Sequence, residues 1–184
     1  MSNPVLEAIR TRRIARALTD RVVERPLLEA VLTAARWAPS AGNRRLHRFI
    51  AVQDTLTLRV LRMVSPGMFQ LPTALVVICI DEDRVRSFQM PPTAKGLYVD
   101  VGTTAQTILL AAHSLGLGAG IVTSFSQAAV RAVLAMPDGL SPEMLITLGY
   151  AAPAQPAMRR SGPPLTWQSL THFERFRAHD PDRR

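Results

Sequence analysis

Cysteine and lysine each occur once in this chain, aromatic residues make up 5%, and no apolar run approaches the roughly 18–20 residues that a membrane span requires. A lone cysteine excludes an intrachain disulfide. Cys79 lies inside the apolar run Leu75–Ile80, so it reads as a buried, inert thiol. The scarcity of aromatics bears on the charge of +8, because base stacking needs rings beside the cations and here the basic residues are dispersed with few rings near them. Neither nucleic acid nor a membrane is therefore expected as a partner. Standard catalytic signatures are also missing: there is no GxSxG elbow, P-loop, HExxH or CxxC. His47, His113, His172 and His179 lack metal-ligand spacing, so no metal is expected, and His113, inside an apolar stretch, reads as a satisfied core histidine. Gly116, Gly118 and Gly120 close a predicted helix and lead into a strand, the reverse of a dinucleotide-binding fingerprint.

What is present fits one globular domain over residues 1–184, with 47% apolar residues. Met1-Ser2-Asn3-Pro4 passes directly into a charged amphipathic stretch without an apolar leader, which suggests a cytoplasmic protein. Val5, Leu6 and Ile9 share one face of a first helix ending near Arg13. A second helix is predicted from Pro26 and must stop by Pro39. Phe49–Val52 reads as a strand, Asp54 caps a helix to about Met63, and Ala74–Ile80 reads as a central strand buried on both faces. Residues 82–96 read as a mobile excursion. Tyr98–Leu115 follows as a helix apolar nearly all round, then an extended Ala119–Phe125, a short helix capped by Ser126 and a strand over Met144–Tyr150. Trp167, Leu170, Phe173 and Phe176 predict a C-terminal helix over about 164–177, with a flexible tail at 178–184. This pattern, about four strands among five or six helices, is α+β. The apolar central helix and the aromatic stripe both need more cover than one chain supplies, which points to a dimer.

With no catalytic signature of its own, such a chain would borrow reactivity from a cofactor. All but Lys95 of the 22 basic residues are arginine, and three small clusters stand out: Arg10 to Arg16, Arg44-Arg45 with Arg48, and Arg159-Arg160. Each is compatible with solvated surface arginines. Short clusters far apart in sequence also suit a few discrete phosphates, each gripped by guanidinium forks. The small-residue turn Pro39–Asn43 would let backbone approach a flat ring.

These segments resemble the nitroreductase family. Arg12-Arg13-Ile14-Ala15-Arg16 is similar to its opening Arg-x-Ser-x-Arg/Lys, and Ala38-Pro39-Ser40-Ala41-Gly42-Asn43 to its Ala-Pro-Ser-x-x-Asn. Leu71-Pro72-Thr73 before Ala74–Ile80, the run Ile108–Gly118 and Leu148-Gly149-Tyr150 fall in the family's order over about residues 5–177. The resemblance implies a mainly antiparallel sheet flanked by helices in an intertwined homodimer, with FMN bound between the subunits. It implies that Arg12, Arg13, Arg16 and Arg159 or Arg160 hold the phosphate, and that Pro39, Ser40, Ala41 and Asn43 of the partner subunit pack on the isoalloxazine. Gln70, Ile121, Val122, Thr123 and Ser124 would line the ring, with the Ser124 N–H toward flavin N5. The implied chemistry is ping-pong hydride transfer from NADH or NADPH to a small-molecule acceptor, with no catalytic side chain. A non-catalytic flavin-binding sensor or carrier is the alternative. Ile14 stands where the family has serine, Arg45-Leu46-His47 where it has Gln-Pro-Trp, and Thr123-Ser124 where it has a Gly- or Glu-containing pair.

Overall fold

The computed structural model describes residues 3–153 and 166–176. The chain divides into two compact units, Met1–Pro153 and Ala154–Arg184.

Helix α1 spans Pro4–Thr11, opened by the Asn3 side chain, which accepts from the Val5 and Leu6 N–H groups. Helix α2 (Arg25–Ala35) begins with Pro26 in its first turn. Strand β1 (His47–Val52) starts two residues before the apolar pattern does. Helix α3 (Thr55–Met63) is capped by Asp54 as expected, and β2 (Ala74–Asp81) follows. Residues 82–96 are more ordered than their charge suggests: Glu82–Ser87 forms helix α4, and helix α5 already begins at Lys95, running to Ser114. Strand β3 is Gly118–Val122, helix α6 is Gln127–Val133 with Ser126 as cap, and strand β4 is Leu140–Gly149.

The four strands pair antiparallel in the order β1-β2-β4-β3, which puts β2 and β4 inside and β3 on an edge. Alternation along β2 then decides both cores. Ala74, Val76, Ile78 and Ile80 face α2 and α5, meeting Leu28, Val31, Val101 and Ile108. Leu75, Val77 and Cys79 face α3 and α6, meeting Leu58, Leu61 and Val130. Helices on both sides explain why β2 is an uninterrupted apolar run rather than an alternating one. The register slips between Ile78 and Cys79, leaving an extra residue on β4 beside Pro142. Such a bulge is where a strand tolerates proline, and it lets β4 begin well before the predicted Met144.

Helix α5 is buried on one side only. Leu97, Val101, Ala105, Ile108 and Leu109 lie against the sheet, whereas Tyr98 and Val99 are exposed. The predicted C-terminal helix is not formed over the described residues: a single 3-10 turn, Gln168–Leu170, gives way to extended backbone at Thr171, and Glu174 has a φ of 58°. A spacing of three matches a 3-10 turn better than an α-helix, and the four apolar side chains of the stripe are all exposed. The expected tail at 178–184 lies outside the described residues. Among the described residues, no helix is long and apolar enough to cross a membrane.

Cys79 sits fully buried in the second core, where burial, with a smaller contribution from Glu143, pushes its thiol up to about 12. The expected outcome is no reaction with a thiol reagent at neutral pH in the native protein and full reaction in denaturant. Labelling of the folded protein at the same rate would show that the thiol is accessible.

Candidate cofactor site

At the end of α1 the chain turns into extended backbone at Arg12 (φ −52°, ψ 130°) and lies along the open edge of β3. Ile14 bridges Ala119 in parallel, and the Ala15 N–H donates to the Ala119 carbonyl at 2.9 Å. Farther on, the Thr19 N–H donates to Tyr150 O at 2.8 Å. The arginine segment thereby closes the sheet edge and is fixed beside it.

The three arginines of this segment are not equivalent. Arg12 has its Nε and Nη1 buried with no hydrogen-bond partner. A desolvated guanidinium without an acceptor is costly, and a bound anion would relieve it. Arg13 turns back instead, its Nη1 donating to the carbonyls of Arg10 (2.7 Å) and Arg12 (3.0 Å). Arg16 is exposed and forms no ion pair among the described residues.

Gln70 is buried at the same edge. Its Nε2 donates to Ala15 O at 2.9 Å, and its Oε1 has no partner. Gly120 is required by this approach, since a Cβ there would lie 2.6 Å from Gln70 Nε2 and 2.8 Å from Thr147 Oγ1. The loop before Gln70 is joined to the end of β3 by the Gly67 N–H, which donates to Ser124 O at 3.0 Å. Arg12, Gln70 and Ser124 are thus placed along one sheet edge. Along β3, Ile121 is exposed and Val122 buried, and Thr123 and Ser124 beyond it are exposed. The Val122 side chain belongs to the second core with Leu75 and Leu145, as the strand's period of two dictates, which leaves its backbone at the edge.

The turn Pro39–Asn43 is held elsewhere. Ala41–Asn43 forms a 3-10 turn in which Gly42 (φ 58°) and Asn43 (φ 52°) are left-handed, and Arg45 (φ 51°) repeats the conformation. Both carboxylate oxygens of Asp100, buried on α5, accept from the Ala41 N–H at 3.0 and 3.1 Å. Thr103 Oγ1 donates to Pro39 O at 3.2 Å, and the Ser40 hydroxyl accepts from the Arg45 N–H at 3.1 Å. Sequence reasoning missed Asp100. Its signal was there, the only carboxylate in an otherwise apolar and small-residue helix.

At the other end of α5, His113 Nε2 meets Thr11 Oγ1 at 2.9 Å, which gives the core histidine its partner and ties α1 down. Asp100 and His113 are separated by about 20 Å at 1.5 Å per helical residue. Within one chain, the arginine edge and the Pro39–Asn43 turn are therefore anchored at opposite ends of α5. Arg159 and Arg160 lie outside the described residues. Among the described residues no group of three or more His, Cys, Asp or Glu is placed to hold a metal ion.

Buried, unpartnered hydrogen-bonding atoms on Arg12 and Gln70 at one sheet edge offer a place for a ligand that would satisfy them. Comparison with known proteins gives the class. The Nitroreductase family matches residues 9–70 and 63–150, and the chain belongs to that family. It is 36% identical over 155 residues to a candidate NADH dehydrogenase/NAD(P)H nitroreductase of Methanothermobacter thermautotrophicus, covering 80% of this chain and 78% of that one. Among solved structures it resembles an FMN-dependent nitroreductase of Clostridium difficile (TM-score 0.76, 27% identity, 93% of this chain and 99% of that one). It also resembles a candidate nitroreductase of Desulfovibrio desulfuricans in complex with FMN (TM-score 0.77, 28% identity, 96% of this chain and 100% of that one). The expected family and the mainly antiparallel α+β fold are both borne out.

Proposed function

We propose that the chain is an FMN-dependent oxidoreductase, working as a homodimer, that passes reducing equivalents from NADH or NADPH to a small organic acceptor such as a nitro compound or a quinone. The observation that carries this reading is the Arg12 guanidinium, whose buried Nε and Nη1 have no acceptor among the described residues, at the β3 edge of a nitroreductase-family fold. FMN, when bound, supplies a ring that takes up hydride from one substrate and gives it to the next in two half-reactions. Everything else falls to the chain's own groups. Arg12 and Arg16 offer the phosphate charge-assisted hydrogen bonds. Gln70 keeps one acceptor oxygen free for a ring N–H, and the Ser124 backbone N–H is a donor at the end of β3. Pro39–Asn43 serves the cofactor of a second copy, a role supported by its anchorage at the far end of α5. The exposed Val5, Leu6 and Trp37, together with Tyr98 and Val99, supply apolar surface for that second copy to cover.

The carrier reading draws on one feature. Ile14, 40% exposed beside Arg12, adds no hydrogen-bonding group where the family motif has a serine. A visible spectrum of purified protein, followed by anaerobic addition of NADH and NADPH, separates the two. A flavin spectrum bleached by either nucleotide is expected. A colourless protein that takes up no FMN overturns the proposal, and a yellow protein that neither nucleotide bleaches favours the carrier.

A further inference from the structure

Beyond the Pro39–Asn43 turn the surface opens into a hollow of about 380 Å³ whose walls carry five arginines: Arg36, Arg44, Arg45, Arg48 and Arg84. They come from four places in the chain: the end of α2, the turn before β1, β1 itself and α4. Acid compensation is sparse. Arg48 pairs with Asp81 at 2.8 Å, and among the described residues the other four make no ion pair. Arg86 on the same helix as Arg84, by contrast, is held by both Glu82 and Asp83.

Arg44 is also held in place by groups that do not neutralise it. The Arg44 guanidinium lies 4.7 Å from the Phe88 ring centroid, and its Nη1 is 2.8 Å from Met90 Sδ. The backbone of Arg45 is left-handed, and its N–H donates to the Ser40 hydroxyl. His47, only 8% exposed, also lines the hollow and has a buried Nδ1 with no partner. Burial pushes its imidazolium down; Asp100 opposes this, while Arg48 and Arg45 act with it to a smaller extent.

We infer that this hollow is an anion subsite that binds a phosphate group of a substrate. Asn43 lines both the hollow and the turn proposed to face the flavin of the second copy. An anionic arm on a molecule stacked at that ring would therefore reach the arginines. The volume suits a ribose phosphate rather than a whole dinucleotide. Planar guanidinium forks on the walls of one hollow can match phosphate oxygens in pairs, which single surface cations do not. The phosphate that distinguishes NADPH from NADH is the occupant assigned here, resting on the oxidoreductase reading above; a phosphorylated acceptor would use the same chemistry.

The subsite is tested by calorimetric titration of the purified protein with inorganic pyrophosphate, 2′,5′-ADP and 5′-AMP. The Arg45→Ala/Arg84→Ala variant is compared with Arg86→Ala, which removes one charge outside the hollow. The expected result is binding of all three, pyrophosphate and 2′,5′-ADP more tightly than the singly phosphorylated 5′-AMP, weakened tenfold or more in the double variant and unchanged in Arg86→Ala. Steady-state KM values then identify the source. A KM for NADPH at least tenfold below that for NADH, lost in the double variant, assigns the phosphate to the donor. Equal values with pyrophosphate binding intact assign it to the acceptor. Equal pyrophosphate affinity in wild type and both variants, or none in the wild type, overturns the subsite. These titrations do not use the flavin spectrum, so a colourless protein that still binds pyrophosphate in the hollow defeats the oxidoreductase reading and leaves the subsite standing.

Discussion

Replacing Arg12 and Arg16 together by alanine is expected to strip FMN from the protein while leaving the fold intact. Each charge-assisted contact to phosphate contributes about 1.5–3 kcal/mol, so each arginine removed weakens binding by roughly one to two orders of magnitude. The effect on stability should run the other way from a usual buried deletion. The Nε and Nη1 of Arg12 have no protein partner, so alanine breaks no hydrogen bond and removes a desolvated charge. FMN titration by fluorescence quenching should therefore show the loss, while the melting temperature of the flavin-free protein stays level or rises. Arg13→Ala should bind FMN like the wild type, because its guanidinium is committed to the Arg10 and Arg12 carbonyls. Arg12→Lys should fall between, since it keeps the charge but not the fork. Full flavin retention by the double variant would show that the phosphate is held elsewhere.

The difference between Arg12 and Arg13 shows how far the sequence could be read. The cluster and its family likeness are visible as letters, and so are the caps at Asp54 and Ser126 and the doubly buried β2, because each depends on neighbours within a few residues. Which guanidinium is left unpartnered depends on where α1 stops, and the bridge from Ile14 to Ala119 spans more than a hundred residues. Val122 makes a related point: motif position says which segment lies at a site, but strand alternation turns the Val122 side chain into the second core and leaves its backbone at the edge. Asp100 acts across 59 residues on a backbone N–H, and no local pattern points to such a partner. The C-terminal stripe errs in the opposite direction. Spacing alone suggested a helix, yet exposed apolar side chains gain little from forming one, and helices this short depend on packing.

Loss of Asp100 should disturb the protein at a distance from the phosphate edge. The turn it holds contains two left-handed residues, Gly42 and Asn43, and Arg45 just beyond it is a third, which costs about 1 kcal/mol or more. Asp100→Ala removes the acceptor of the Ala41 N–H, worth about 1.5–3 kcal/mol for a charged partner. At about 2–4 °C per kcal/mol for a chain of this size, the melting temperature should fall by roughly 3–12 °C, and Asp100→Asn, which keeps a neutral acceptor, by less. The more telling consequence concerns flavin. If the turn serves the cofactor of the other copy, Asp100→Ala damages the partner's site and leaves its own Arg12 edge whole. Co-refolding it with the Arg12→Ala/Arg16→Ala variant then makes heterodimers in which one site carries both defects and the other neither. Equal mixing gives half heterodimers, hence intact sites in about a quarter of all positions, from two parents that each bind FMN poorly. Recovery of that fraction of flavin, read from the visible absorbance after gel filtration, is the expected outcome. No recovery, with heterodimers shown by differential tagging, would mean that each chain builds its flavin site alone and that the turn belongs to its own subunit's surface.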